Sequence, residues 1–495
     1  MQTNFIDEYQ QGASPHFELL TDLYELTMAQ GYWEEGKAEL QACFYVFFRD
    51  NPFGGAYSLA CGIAQVLDLI EDFEFTSDDI AYLATLPAPG GGLLFKREFL
   101  DYLAQLRLSL DVDSVVEGDI VFPREPLVRV TGPILQCQIV EAALLNCVGF
   151  QTLVATKASR VCTAAKGRPV AEFGLRRAQG PDGGNSASRA AYIGGCASTS
   201  NVLAGRLYDI PVSGTHAHSW VLAFDDELSA FRAFAHSAPN NCVLLIDTYN
   251  VEQGTEHAIT VAREMERRGQ RLSGVRIDSG DLAWLSKKVR TRLDEAGLDY
   301  VKIVLSNDLD EQTINSLDQQ GACVDSFGVG TYLATSFDQP ALGCVYKLSA
   351  LQDPATGVWE PKMKATEQLA KATIPGVLGV RRYFHEDGTI CGDMIYDTSR
   401  PIGPGREFII DPLDLTRHKD LTGRSHRELL RPLVRDGKPV VERESATSAR
   451  ERAMANVASL DPSMKRLLRP HTYPAGIEEG LWHRREDFIL AVRGE

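Results

Sequence analysis

The chain has 495 residues, 44% of them hydrophobic and 24% charged, enough for two or three domains and a large buried core. Its formal net charge of −17 argues against a general nucleic-acid binder, because basic side chains must replace the counterions along a phosphate backbone. No run approaches the ~18 apolar residues of a membrane span. The opening "MQTNFIDEYQQG" resembles neither a signal nor a transit peptide, and ten scattered cysteines form no C-x-x-C pair, so the expectation is a cytoplasmic protein with reduced thiols and no structural zinc.

Along the chain, "QACFYVFFRD" reads as a strand, "VVEGDIVFPREPLVRVTGP" as strands joined by Pro and Gly turns, and "ILQCQIVEAALLNCVG" as a buried helix. From about Arg168 to Leu351 one rhythm takes over: a short apolar run ends in Gly, Asp, Ser or Thr, and a helical pattern follows. The strand candidates are "RPVAEFG", "IPVSG", "NCVLLIDT", "LSGVRID", "VKIVLSND", "CVDSFGVG" and "GCVYKLSA". Between them lie helical segments such as "VEQGTEHAITVAREMERRG", each with a Gly near its end. This βα spacing predicts parallel strands in an irregular (β/α) barrel, with an open doubly wound sheet as the alternative. After Asp397 come Pro- and Gly-rich turns, a hairpin around "VRDGKPV" and a helix in "SATSARERAMANVASL". The expected organisation is an α/β sandwich domain over 1–150, a barrel domain over 151–355, and a segment over 356–495 that returns to the flanking domain.

In βα folds ligands lie at the C-terminal ends of the strands. Those ends read "EFGLRRAQGPDGGNS", "SGTHAHS", "IDTYN", "RIDSGD", "SND" and "GVGT". In "FGVGTYLAT" the glycines Gly328 and Gly330, with Thr331 opening a helix, suit a phosphate held by backbone N–H groups; a tight turn would read the same way. Arg276 and Asp278 share one strand face, followed by Ser279, Gly280 and Asp281. An arginine beside carboxylates suits an anionic substrate and a Mg²⁺-bound diphosphate, while for Asp281 a helix N-cap is the simpler role. Phe173 could stack a flat ring and Arg176 hold an anion, or the first could be core and the neighbouring Arg177 a solvated face. His216 and His218 leave metal binding, acid–base chemistry and packing open. A binuclear metal hydrolase needs further histidines at later strand ends, and the other eight lie elsewhere. His216 fits a core residue and His218 a chemical role.

Taken together, "LLTDLYELTMAQGYW", "FFRDNPFGGAY", "EFGLRRAQGPDGG", "SGTHAHSW", "IDTYN", "GVRIDSGDL", "FGVGTYLAT" and "GCVYKL" resemble the nicotinate phosphoribosyltransferases, in family order over roughly Leu19 to Gly376. The resemblance implies a homodimer with shared active sites, Mg²⁺, nicotinate and phosphoribosyl pyrophosphate as substrates, and ATP as co-substrate through a phosphohistidine. By motif position that histidine is His218. Tyr24, Thr215 and Arg276 fall where the family contacts nicotinate. Thr331 falls at the phosphoribosyl pyrophosphate site, with Ser279, Gly280, Gly328 and Gly330 grouped there. The related nicotinamide enzyme places Phe173 and Arg176 in the pyridine pocket, and has Arg49 reaching the diphosphate from the partner subunit. Asp278 and Asp247 are the carboxylates assigned to the developing positive charge. Ser200 takes the place of an Asp that accepts from the amide of nicotinamide in that relative. The segment "KATEQLAKATIPGVLGVRR" departs from the family's spelling, so its lysines receive no role.

Overall fold

Six short runs rich in β-branched and leucine side chains form one all-parallel sheet. They are β1 (Val170–Glu172), β2 (Ser198–Thr199), β3 (Val243–Leu245), β4 (Gly274–Ile277), β5 (Lys302–Leu305) and β6 (Ser326–Val329). Their spatial order is β2-β1-β6-β5-β4-β3. The molecule is described from a computed structural model covering residues 17–364, 372–400, 402 and 406–493. The N-terminal "MQTNFIDEYQQG" segment, the lysine-rich stretch beyond 364 and part of the turns after 400 lie outside these residues.

Three successive crossover helices show why the rhythm was readable. Val251–Arg267, Leu282–Glu295 and Glu311–Gln319 each begin on an Asx side chain that accepts a backbone N–H: Asn250 from Gln253, Asp281 from Trp284, Asp310 from Thr313. Asp281 thus has the N-cap role.

Of the two arrangements expected, an irregular (β/α) barrel or an open sheet, the six parallel strands form no closed barrel among the described residues. Among the described residues β2 and β3 are the two edges of their sheet, and no ladder joins them. The cause lies in "IPVSG". Pro211 has no N–H to give a ladder, and the segment makes only one isolated bridge, Thr199 with Val212. At the far edge, the backbone N–H of Leu245 donates to Nε2 of His216 at 3.1 Å, so an imidazole meets a donor that a strand would have met. "GCVYKLSA" also departs from expectation. As Cys344–Gln352 it leaves the parallel sheet and pairs antiparallel with Gln41–Phe48.

That pair sits in a seven-stranded sheet with Val128–Pro133, Asp111–Ser114 and the hairpin Arg431–Arg435/Lys438–Pro439, so strands from both chain ends share it. A third, six-stranded sheet is built from residues 378–478. The helix Glu141–Ala164 ties the halves together. Its Leu144, Val148 and Leu153 pack in the core of the seven-stranded sheet, and Val154, Ala158 and Val161 in the core of the parallel sheet. Each such fully buried Leu or Val is worth ~1.5–3 kcal/mol relative to exposure.

Candidate active site

Parallel register sets the site. Leu305 lies opposite Ile277 and Phe327, so the next residues, Ser306, Asp278 and Gly328, emerge together at the C-terminal edge. Arg276 is the hub. Its Nε donates to Ser306 Oγ (2.7 Å), Nη1 to Thr215 Oγ1 (3.0 Å) and Nη2 to Asp278 Oδ1 (2.8 Å). Ser306 Oγ donates to the same Asp278 oxygen, so the arginine and its carboxylate are held through a common hydroxyl. The guanidinium lies 5.7 Å from the Phe173 ring centre. Gly328 is where that ring rests: a Cβ there would fall within 2.6 Å of it.

The two aspartates differ. Asp247 Oδ2 accepts from the Asp278 backbone N–H (2.9 Å) and from Ser279 Oγ (2.6 Å), while its Oδ1 is buried and has no hydrogen-bond partner. A desolvated carboxylate oxygen without a donor costs free energy, and a hard cation such as Mg²⁺, which takes oxygen ligands, fits that position. Among the described residues the only compact group of three metal-ligand side chains is Asp310, Glu311 and Asp338, elsewhere. There the buried Lys157 Nζ lies 2.6 Å from Glu311 and 2.5 Å from Asp338, supplying the positive charge itself.

The two histidines part company. His216 is buried, edge-on to Phe234 at 4.7 Å between centroids, and its Nε2 is occupied by the Leu245 N–H. With Nε2 accepting, the proton sits on Nδ1, which donates to the Ala217 carbonyl at 3.3 Å. Burial pushes its pKa down, so it is neutral and spent. His218 opens the short helix His218–Leu222 and is partly exposed. Its Nδ1 lies 3.1 Å from Thr248 Oγ1 and its Nε2 4.0 Å from Asp278 Oδ2, facing the site.

Several contributors were missed in the sequence. Glu172, buried at the end of β1, accepts from Ser188 Oγ (2.9 Å), Thr199 Oγ1 (2.6 Å) and the Gly174 N–H, and so fixes the turn carrying Phe173. Ser306 and Thr248 stood inside quoted strand ends ("SND", "IDTYN"), but nothing in a single chain marks one hydroxyl over another. The backbone N–H of Ser200 donates to the Glu172 carbonyl (2.9 Å), placing it beside the Phe173 turn. Arg176 is exposed in the short turn Leu175–Arg177. Asn307 and Asp308 turn with positive φ, and Thr331 Oγ1 donates to Asp308 Oδ1 at 3.4 Å, so Thr331 faces that strained βα turn. Gly280, at φ +79°, makes the bend after Ser279.

Tyr24 and Arg49 are not brought to this cluster; among the described residues no hydrogen bond or ring contact links them to Arg276 or Phe173. They belong to a second group on the flanking half. Burial and then the Glu141 carboxylate push the Tyr24 phenol above its usual range. Burial lowers the pKa of Lys347; Glu141 opposes that shift, and the nearby cations Lys364 and Arg49 add to it.

Sequence models of the family match nearly the whole chain: the nicotinate phosphoribosyltransferase (NAPRTase) N-terminal domain over 19–149, the NAPRTase family over 169–375, and its C-terminal domain over 379–485. A nicotinate phosphoribosyltransferase of Bacillus subtilis is 38% identical over 480 residues, 96% of each chain. One of Mycobacterium tuberculosis is 39% identical over 463 residues, covering 93% of this chain and 91% of that one. The crystal structure of human nicotinic acid phosphoribosyltransferase superposes with a TM-score of 0.82 at 32% identity, covering 94% of this chain and 99% of that one. A nicotinate-nucleotide pyrophosphorylase from Pyrococcus furiosus shares the fold at a TM-score of 0.67 and 22% identity. The chain belongs to the nicotinate phosphoribosyltransferase family.

Proposed function

We propose that this protein transfers the phosphoribosyl group of phosphoribosyl pyrophosphate to nicotinate, giving nicotinate mononucleotide and diphosphate for NAD synthesis, with ATP consumed through a phosphorylated His218. The observation that carries the reading is the Arg276 hub, a guanidinium aimed with Thr215 beside an aromatic face and flanked by two carboxylates. Arg276 and Thr215 would hold the carboxylate of nicotinate, and Phe173 its ring. The ring nitrogen then attacks C1 of the ribose as diphosphate leaves. Positive charge develops on the sugar, and Asp278 and Asp247 would supply the opposing charge. Asp247, with its unpartnered oxygen, and Asp278 would hold Mg²⁺, which neutralises the leaving diphosphate. Arg276 and Ser306 keep Asp278 oriented, so the site is set before substrate arrives.

His218 supports the ATP step. Thr248 occupies Nδ1, leaving Nε2 to attack the γ-phosphorus of ATP as ADP leaves. The added phosphoryl would bring negative charge beside Asp278 and reposition the donor diphosphate. Tyr24 and Arg49 act in a second chain's site in this reading, which makes the enzyme a homodimer; their separation from Arg276 within one chain supports it. A product assay offering nicotinate, nicotinamide and quinolinate, with and without ATP, tests the proposal: nicotinate mononucleotide formed faster with ATP is expected. Product from nicotinamide or quinolinate alone, or none at all, would overturn it.

A further inference from the structure

The third sheet carries a groove of about 850 Å³, lined entirely by residues between Ile409 and Gly476 and sharing none with the strand-end site. One wall is the strand His418–Asp420 with Arg417 before it; the other is the 463–474 segment. The lining has four permanent cations, Arg417, Lys419, Arg466 and Arg469, plus His418 and His471, against one carboxylate, Asp411. In a chain of net charge −17 that local excess is the reverse of the whole.

Some of this charge is spent. Arg417 pairs with Asp414 at 3.2 Å, Lys419 Nζ donates to the Cys391 carbonyl at 2.8 Å, and Asp411 Oδ1 accepts from the Leu413 N–H at 2.8 Å. Arg466 and Arg469 are exposed, and among the described residues neither makes a hydrogen bond or a close ion pair. The exposed Asp461 carboxylate, its pKa held down first by its bonds from Ser463, also feels Arg466 and His471, so Arg469 is the cation with no opposing charge assigned. Arg469 is also held at φ +46°, a left-handed conformation that costs an L side chain free energy and that presents it from the turn before Pro470. Like charges facing one another across a concave wall focus a positive potential, and the planar guanidinium fork matches phosphate oxygens. A lone phosphate would fill only part of a groove of this volume, which leaves room for a chain of phosphates.

We propose that this groove is a second anion site that takes a polyphosphate chain, either free or carried by a nucleotide. The experiment titrates the full-length protein at low salt with inorganic triphosphate, ATP or adenosine. Binding is read from the imidazole NMR resonances of His418 and His471, assigned through His418→Asn and His471→Asn. Reading at the groove separates it from phosphates bound at the strand ends, and the shifts should persist in Arg276→Ala. Triphosphate is expected to move both resonances, and Arg466→Gln/Arg469→Gln to weaken the effect by roughly tenfold or more while leaving transferase turnover unchanged. If that pair does not fold, Arg469→Lys, which keeps the charge and loses the fork, should show a smaller weakening. Equal affinity for triphosphate and ATP identifies the phosphate chain alone as the ligand, and preference for ATP adds the nucleoside to it. No shift with either, or unchanged binding in the arginine variants, overturns the proposal.

Discussion

Two histidines one residue apart show how far geometry separates identical side chains. His216→Phe keeps the aromatic packing against Phe234 but removes the acceptor of the buried Leu245 N–H. It should cost ~1–3 kcal/mol in stability, visible as a lower denaturant midpoint. His218→Ala, at a partly exposed site, should leave that midpoint unchanged and abolish both labelling by ATP and stimulation of turnover by ATP. An unaltered ATP response in His218→Ala would remove His218 from the mechanism. Under the proposed function, Ser200, set beside the Phe173 turn through its bond to the Glu172 carbonyl, is the residue expected to decide selectivity. A serine can donate to the carboxylate of nicotinate; an aspartate would face it with like charge in a partly desolvated pocket. Ser200→Asp should lower kcat/KM for nicotinate by roughly 30- to 1000-fold, about 2–4 kcal/mol, and raise relative use of nicotinamide. Retention of the wild-type preference would place selectivity outside this pocket.

At the scale of elements, the helix Leu23–Glu34 docks on the start of Glu141–Ala164 through a buried acid. Glu25 Oε1 accepts from the Ala142 N–H at 3.1 Å and Oε2 from Thr21 Oγ1 at 2.5 Å. Those bonds favour the carboxylate, but burial outweighs them and pushes its pKa up to about 7 from 4.5. Between these values the folded chain holds a proton that the unfolded chain has released, so this group costs stability as pH rises through that window. Glu25→Gln should therefore raise the urea midpoint at pH 8 by the equivalent of ~1–2 kcal/mol relative to wild type, and give no gain at pH 4.5. The same change at both pH values would show that ionisation of Glu25 carries no cost. Elements themselves were legible to unequal degrees. Apolar periodicity and a closing Gly made the crossover helices readable, and β-branched runs marked β3 to β6. Ser198–Thr199, at two residues, is too short to carry a pattern. Cys344–Gln352 was misplaced because an apolar run reads alike in either sheet, and only its antiparallel pairing with Gln41–Phe48 distinguishes them.

For the whole molecule, motif order along the chain made the strand-end residues readable, but not which half of the fold would hold each one. Arg276 and Asp278 meet Ser306 because parallel register aligns their strand ends, and Thr215 and His218 reach them from the irregular segment that follows Val212. Tyr24 and Arg49 sit on the other half, grouped around Glu141 and Lys347, a placement no linear spacing could reveal. An aromatic ring is best held between two faces, and the strand-end site supplies Phe173 as one. Tyr24 is 46% exposed on its own half, together with Leu20, Leu23 and Met28 around it, a surface suited to meeting a second chain. If Tyr24 serves the neighbour's site, a chain carrying Tyr24→Ala and a chain carrying Arg276→Ala should each be inactive alone and complement each other. Random reassociation of equal amounts makes half the dimers mixed, and each mixed dimer contains one site with both residues intact. Recovered activity should then reach about a quarter of wild type in a two-fold dimer. Verified mixed dimers with no recovered activity would place Tyr24 and Arg276 in the same chain's site, or Tyr24 outside the chemistry altogether.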